Sequence, residues 1–361
     1  MSAARWIRSL CLAALLLCFT VVVLGAYVRL TAAGLGCPDW PGCYGHVSPI
    51  GAQENVAAQA AYPNKPLNVG KAWREMIHRY AASTLGLIIV VIAALAIVTR
   101  RARLVSPTLS IGLLAIVVFQ GILGALTVTW QVTPPIVTGH LLFGLTTLGL
   151  LWWLWLSLQS PAPSQVAASP ESVARVRGLA LVGLVALGIQ IALGGWTSTN
   201  YAAIACPDFP KCQNEWWPNT DYRDAFVVWR GLGINYEGGV LDSPARVAIH
   251  LTHRMGAIIA TLALSIAALT ALRRRLSPDS MLAAYAVLGA LALQLTIGIS
   301  MVVRGFPLPL ATAHTGGAAL LLLSVLTLLF SVRTTMLPQR HGRAPGQATG
   351  TQARKSATGA R

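Results

Sequence analysis

Long runs of apolar residues, separated by short polar segments, dominate the chain. Each run is long enough to form a helix of about 20 residues, the length that crosses the hydrocarbon layer of a membrane. The pattern predicts eight membrane-spanning helices, which begin near Leu10, Glu75, Thr108, Val137, Leu179, Val247, Met281 and Ala311. The first run continues to Tyr27 and Arg29 without a small-residue cleavage site, so we interpret it as a retained helix rather than a signal peptide.

The composition supports this interpretation. Hydrophobic residues make up 55% of the chain and charged residues 11%, and the mean hydropathy is +0.63. These values exclude an ordinary water-soluble domain and predict that lipid surrounds most of the protein. We therefore expect a multi-pass membrane protein.

The formal net charge of +16 reports membrane topology rather than a nucleic-acid partner. The basic residues form short clusters between the apolar runs, where positive charge sets orientation during insertion. All these clusters fall on one side of the membrane if the eight helices alternate, and nearly all the acidic residues fall on the other side. Both termini are accordingly expected in the cytoplasm.

The chain contains an internal repeat. The repeated segments are CPDWPGC (Cys37 to Cys43) with CPDFPKC (Cys206 to Cys212), the His-Arg pairs at His78 and His253, the Gln-Gly pairs Gln120/Gly124 and Gln294/Gly298, and the segments around His140 and His314. Their order is preserved, which indicates two similar halves of four helices each, inserted in the same orientation. The predicted fold is an all-α integral membrane protein whose eight transmembrane helices form two four-helix bundles related by a pseudo-two-fold axis.

The repeat also predicts domain boundaries. We assign residues 1–160 to the N-terminal half, 161–177 to a cytoplasmic linker and 178–335 to the C-terminal half. Residues 336–361 are rich in Gly, Ala, Thr and Arg, and we expect them to form a disordered basic tail in the cytoplasm.

Four histidines occupy equivalent places in the repeat. His78, His140, His253 and His314 are expected to open the even-numbered helices at the outer face. A lone buried histidine is usually an ordinary hydrogen-bonded residue, but ionisable groups are costly in membrane spans, and four at matched positions favour a ligand role. Two histidines from facing helices can hold a haem iron from both sides. We pair His78 with His140 and His253 with His314. Structural zinc sites take four ligands, partly from cysteine, and the loop cysteines lie away from these histidines.

An acidic residue distinguishes the two halves. Glu75 lies one helical turn before His78 and on the same face, whereas the residue before His253 is His250, an added ligand candidate. Glu75 is either a general base near a haem edge or a helix-start acid that the helix dipole stabilises. The half with His250 is expected to carry electrons only. Next to the histidines, Arg79 and Arg254 either pair with haem propionates or reach to the membrane interface.

The outer loops carry two pairs of cysteines. An oxidising compartment favours disulfides between Cys37 and Cys43 and between Cys206 and Cys212. Each pair is either a redox-active dithiol or a staple that holds the loop, and the staple interpretation is preferred. The loop tryptophans are interpreted as interfacial anchors rather than a lid, and the Gln-Gly pairs as sites of close helix packing with an amide hydrogen bond.

These motifs resemble the haem A synthase family. The resemblance rests on EMIHR at Glu75 to Arg79, the GLGCPDWPGC loop, TGHL at His140, HR at His253 and AH at His314, and it covers about Gly25 to Leu320. It implies an enzyme of a bacterial-type inner membrane that oxidises the C8 methyl of haem O to a formyl group through a hydroxymethyl intermediate, for assembly of terminal oxidases.

The resemblance also implies site roles and partners. Haem O, the substrate, would bind at His78 and His140, a permanent haem b would bind at His253 and His314, and Glu75 would be the catalytic carboxylate. Further partners would be membrane lipid, an electron donor, a haem O synthase and a second copy of the chain. Without the resemblance, the residues indicate a di-haem membrane protein, and a quinol-linked b-type cytochrome or a haem transporter is the alternative. The Glu75/His250 difference favours an enzyme.

Overall fold

The computed structural model describes residues 3–102, 104–159 and 169–333. The regular secondary structure of these residues is helical, and the loops contain two isolated β-bridges. Eight helices are long and apolar enough to cross a membrane, as predicted. They are α1 (Ala3–Leu30), α2 (Val69–Val98), α3 (Pro107–Thr129), α4 (Pro134–Gln159), α5 (Pro170–Thr199), α6 (Ser243–Arg274), α7 (Pro278–Val303) and α8 (Leu308–Ser331). The predicted tail at 336–361 and residues 161–168 of the predicted linker lie outside the described residues.

Local sequence signals begin several of these helices. Ser106, Ser169 and Ser277 accept hydrogen bonds at the starts of α3, α5 and α7, and each is followed by a proline at the first helical position. A serine cap satisfies a free backbone N–H, and proline there loses no intrahelical hydrogen bond. Asn68 caps α2 in the same way through the N–H of Lys71.

Four helices start four or more residues earlier than the hydropathy pattern predicts, and one of them is α1, which begins at Ala3 instead of near Leu10. α2 begins at Val69 and α6 at Ser243, so His78 and His253 do not open their helices but lie about two and a half turns inside them. α5 begins at Pro170, inside the stretch that we assigned to the linker. Hydropathy detects only the lipid-crossing part of a helix, whereas the hydrogen-bonded helix continues into polar sequence until a capping residue ends it.

Each half forms a ring of four helices. In the first half α1 packs on α2, α2 on α3, α3 on α4 and α4 on α1, and α5 to α8 repeat this pattern in the second half. The halves meet through α1 with α8, α4 with α5 and α4 with α8. These contacts agree with two four-helix bundles, and the pseudo-two-fold axis between them stays a prediction.

The largest hydrophobic cluster lies at one end of the bundle, and three smaller ones lie at the opposite end. The fully buried side chains of the largest cluster come from the first turns of the odd-numbered helices and the last turns of the even-numbered ones, such as Cys11, Leu113, Leu151, Ala271 and Leu328. We call this the core end and call the opposite end, where the long loops α1–α2 and α5–α6 lie, the loop end. Close packing at the core end leaves room for a site at the loop end.

Candidate functional site

One large cavity extends through the loop end of both halves. Its volume is about 1710 Å³ and its walls are mostly apolar, with residues from all eight helices. A pocket for a single small molecule is usually about 300–1,000 Å³, so this cavity has room for two large ligands. All four predicted histidines line it, together with Glu75.

The helix rings place these histidines in pairs. His78 on α2 and His140 on α4 come from opposite corners of the first ring, and His253 on α6 and His314 on α8 from opposite corners of the second. Opposite helices of a four-helix bundle present side chains to the same interior space, which is where such bundles hold cofactors. The structure therefore brings the four residues together as the sequence predicts, and their role as ligands stays a prediction.

A glycine on the preceding helix faces each of the four imidazoles. We measured the distance from a methyl group added to each glycine to Cε1 of the facing imidazole. It is 3.0 Å for Gly25 and His78, 3.6 Å for Gly124 and His140, 3.1 Å for Gly194 and His253, and 2.9 Å for Gly298 and His314. Any larger residue would push at least three of the four rings out of place. Gly124 and Gly298 were predicted to allow close helix packing, and the structure shows that the close neighbour is the histidine.

A glutamine amide contacts three of the four histidines. The distances are 3.0 Å from Gln120 Nε2 to the carbonyl oxygen of His140, 3.0 Å from Gln190 Nε2 to both the carbonyl oxygen and Nδ1 of His253, and 3.4 Å from Gln294 Nε2 to Nε2 of His314. This confirms the predicted amide hydrogen bonds. The corresponding residue on α1 is Val21, so His78 has no glutamine at this position.

The histidine surroundings fit haem. Nδ1 of His78, His140 and His314 is buried and has no hydrogen-bond partner among the described residues. Burying an imidazole nitrogen without a partner is costly, and a ligand can supply that partner. Paired histidines are a usual axial ligand set for haem iron.

Glu75 is buried and fully engaged. Its side chain is 6% exposed; Oε2 accepts a hydrogen bond from the backbone N–H of Cys37 at 2.9 Å, and Oε1 pairs with Nη2 of Arg79 at 2.5 Å. α2 has no acid in its first turn, so a helix-start role for Glu75 does not describe its position. The carboxylate connects α2 to the outer loop and also lines the cavity.

The two arginines next to the histidines hold the outer loops, a role that the sequence interpretation missed. Arg79 donates to the carbonyl oxygens of Asp39, Pro41 and Gly42. Arg254 donates in the same way to Cys206, Asp208, Pro210 and Lys211. The recurrence of His-Arg together with the cysteine loop was the signal that could have indicated this contact.

The two cysteine loops have the same structure. Cys37 is bonded to Cys43 and Cys206 to Cys212, as predicted. In each loop an aspartate receives two backbone N–H groups: Asp39 those of Tyr44 and Gly45, and Asp208 those of Gln213 and Asn214. At Asp208 partial burial acts to raise the pKa of the carboxyl group, but these hydrogen bonds and the charge of Arg254 outweigh it and hold the pKa below its usual value.

His250 occupies the place of Glu75 in the second half. Its side chain is buried, its Nδ1 has no partner among the described residues, and its ring lies edge-on to Phe306. Gly194 lies against His253 and not against His250. His253, rather than His250, therefore has the glycine contact that His78, His140 and His314 also have.

The second outer loop reaches over the first half. Trp229 packs against Trp130 with ring centroids 5.6 Å apart, and the N–H of Tyr236 donates to the carbonyl oxygen of Gln131. The loop tryptophans Trp40, Trp216 and Trp217 line the cavity although they are largely exposed. The predicted anchor role of these three is untested, and their position at the cavity mouth also suits a cover.

Fold and cavity together define a multi-pass membrane protein that places two pairs of histidines in one interior cavity beneath disulfide-bonded loops. Within that class, the chain belongs to the COX15-CtaA family of cytochrome oxidase assembly proteins, whose family model matches residues 8–326. The resemblance that the motifs indicate is thereby confirmed.

Its relatives carry the name heme A synthase. The protein of Shewanella oneidensis is 44% identical over 309 residues, which cover 85% of this chain and 91% of that protein. The protein of Rhizorhabdus wittichii is 28% identical over 333 residues, covering 86% and 89% respectively. The protein of Paracoccus denitrificans is 27% identical over 334 residues, covering 85% and 82%.

Proposed function

We propose that this protein is an oxidoreductase that catalyses the haem A synthase reaction, the oxidation of the C8 methyl group of haem O to a formyl group. Its family and its similarity to the Shewanella oneidensis protein support this reaction. The structural observation that carries the proposal is the asymmetry of the cavity. Two similar histidine pairs share one space, but among the residues that the structure describes only the first pair has a buried carboxylate, Glu75, beside it.

The two halves then have different ligands. Haem O binds in the first half between His78 and His140, and haem b stays bound in the second half between His253 and His314. When bound, haem b supplies one-electron transfer. The glutamine contacts agree with this division, because both second-half histidines have an amide neighbour while His78 does not. A permanent cofactor benefits from fixed ligands, and a substrate must be able to leave.

Glu75 is the catalytic carboxylate of the first half. The hydroxymethyl intermediate releases two protons and two electrons when it becomes the formyl group, so this step needs a proton acceptor in the site and an external electron acceptor. Glu75 accepts a proton at a carboxylate oxygen, and Arg79 compensates the negative charge while the carboxylate is ionised. The N–H of Cys37 fixes the other oxygen, so the disulfide loop orients the base.

The charge pattern supports a membrane orientation. The loop end faces outward and both termini face the cytoplasm, because the described arginine clusters at Arg100 and Arg101 and at Arg273 to Arg275 lie at the core end. Three partners are proposed: an electron donor, a haem O synthase and a second copy of the chain. Each would approach within the membrane or from one of its two faces.

Extraction and chromatography of the haems that copurify with the protein test this function. We expect haem b together with haem O, a hydroxylated haem or haem A. Haem b alone at two per chain would identify a b-type cytochrome instead. Exchangeable haem in both halves would identify a transporter.

A further inference from the structure

The two halves of the cavity differ in the space that lies between the histidines and the core end. At three equivalent positions the first half has glycine and the second half has a larger residue: Gly86 against Thr261, Gly121 against Leu295 and Gly144 against Ala318. All six residues line the cavity. The second half therefore fills, with side chains, space that stays open in the first.

Two of the three glycines face open space. A methyl group added to Gly86 on α2 or to Gly121 on α3 would meet no atom within 4 Å, whereas one added to Gly144 would meet the amide of Gln120. Gly121 is exposed even though it lines the cavity, while Leu295 is half-buried. The first-half cavity therefore has a gap beside Gly86 and Gly121, on two helices that pack against each other.

The gap lies at the depth of the lipid chains. Both glycines lie nearer to the core end than the histidines. Gly86 is about 12 Å beyond His78 along α2. Gly121 is about 4.5 Å beyond Gly124, the glycine that faces His140, along α3. Apolar residues occupy this part of each helix, and no water is available there to solvate a polar ligand. Only an apolar group fits the gap.

The opposite wall on α1 changes in the same direction. Val21 takes the place of Gln190, and Cys18 takes the place of Leu187. The first-half wall is thus less polar as well as smaller. The first-half residue is not the smaller one at every position, because Leu85 is larger than its counterpart Ala260. The added room is therefore concentrated around Gly86 and Gly121.

We propose that the gap beside Gly86 and Gly121, between α2 and α3, holds an isoprenoid chain, and that Thr261 and Leu295 exclude such a chain from the second half. This rests on the proposed function, since haem O carries an isoprenoid chain where haem b has a short vinyl group. The gap makes the first half selective for the prenylated haem and leaves the haem b site closed to it. Gly86 and Gly121 are specificity-determining residues and take no part in the oxidation.

Equilibrium titration of purified protein with haem O and with haem b tests the proposal. The variant Gly86→Thr/Gly121→Leu places the second-half residues in the first half. We expect its affinity for haem O to fall about tenfold or more, because leaving even two methylene groups unburied has that effect. Binding of haem b to the first half should be unchanged, since the ring contacts at His78 and His140 are kept.

Gly112→Leu is the matched control, because Gly112 is on the same helix, also faces open space and does not line the cavity. The low-spin haem of the second half reports whether each variant is folded. A graded series at Gly121, through Ala and Val to Leu, provides milder changes if the double variant does not fold.

Three outcomes overturn the proposal: unchanged haem O affinity in a folded variant, equal loss of haem O and haem b, or the same loss in Gly112→Leu. Failure of the proposed function would look different. The unaltered protein would then show no preference for haem O over haem b and would form no haem A, whatever the residue at position 121.

Discussion

The carboxylate of Glu75 accepts a hydrogen bond from the backbone N–H of Cys37 at 2.9 Å. This contact links a buried acid on α2 to a disulfide-bonded loop outside the helices. Arg79 completes the link, because it pairs with Glu75 and also donates to carbonyl oxygens of the same loop. The position of the carboxylate, the arginine and the loop is therefore determined jointly.

Replacement of Glu75 by glutamine should stop the oxidation without removing the second-half haem. The amide keeps the shape of the side chain but cannot accept a proton, and general bases commonly contribute about 10²- to 10⁴-fold to a rate. Haem A should fall by that order in cells, with haem O or its hydroxymethyl form accumulating. Glu171→Gln is the control, since Glu171 is exposed and pairs only with Arg175. Normal haem A in Glu75→Gln would contradict the catalytic role.

Loss of Arg79 should destabilise the protein more than loss of Arg254. Arg79→Gln leaves the buried carboxylate of Glu75 without its cation, which typically costs about 3–5 kcal/mol. Arg254→Gln removes hydrogen bonds to four loop carbonyls, several of which are exposed and can bind water instead. Thermal unfolding in detergent measures both changes.

A double variant separates the ion pair from the loop contacts. Glu75→Gln/Arg79→Gln should lose less stability than the sum of the two single variants, because the second change removes the charge that the first left unpaired. Additive losses, or equal losses for Arg79→Gln and Arg254→Gln, would show that the pair contributes nothing of its own.

The sequence was sufficient for the membrane helices because lipid imposes a simple requirement. A helix that crosses the membrane must be apolar over its length, and all eight spans were predicted from this. The starts of α2 and α6 were missed because Val69 and Ser243 lie in polar sequence. Asn68 caps the start of α2, whereas α6 starts after Asp242 without a side-chain cap hydrogen bond, and hydropathy marks neither start.

The candidate site was predictable where the repeat supplied a comparison. His78 and His253 stand out because each recurs with an arginine, and the Glu75/His250 difference is visible without a structure. The recurrence of His-Arg together with the cysteine loop could have indicated that Arg79 contacts the loop, but the particular atoms were not predictable, because they are backbone carbonyl oxygens. The glycine beneath each imidazole was also missed, since a glycine in a membrane helix has several ordinary packing roles.

Replacement of either His253 or His314 by alanine should abolish the low-spin haem b spectrum. Each residue faces a glycine and contacts a glutamine amide, so both are held in the positions that axial ligands need, and losing one leaves the iron with a single imidazole. His250→Ala is the control, because His250 lines the same cavity without a glycine against it. A full spectrum in His253→Ala, together with its loss in His250→Ala, would make His250 the ligand.

The two disulfides provide the most direct test of how the loop acts on the site. Both close loops of the same length and hold the same turn, so removing either should lower the free energy of unfolding by a similar amount, about 2 kcal/mol. The two disulfides have different neighbours. The backbone N–H of Cys37 donates to the carboxylate of Glu75, whereas the second half has His250 at the position equivalent to Glu75. The effects on catalysis should therefore differ.

We expect Cys37→Ser/Cys43→Ser to lose haem A formation per folded molecule, with folded protein counted by its second-half haem. Without the disulfide the N–H of Cys37 is no longer fixed, and the carboxylate loses the orientation that proton transfer requires. Cys206→Ser/Cys212→Ser should keep its activity per folded molecule, and Cys11→Ala, which removes a free buried thiol far from the loops, should keep it too. If both disulfide variants lose activity equally, the first loop acts only as a staple and does not orient Glu75.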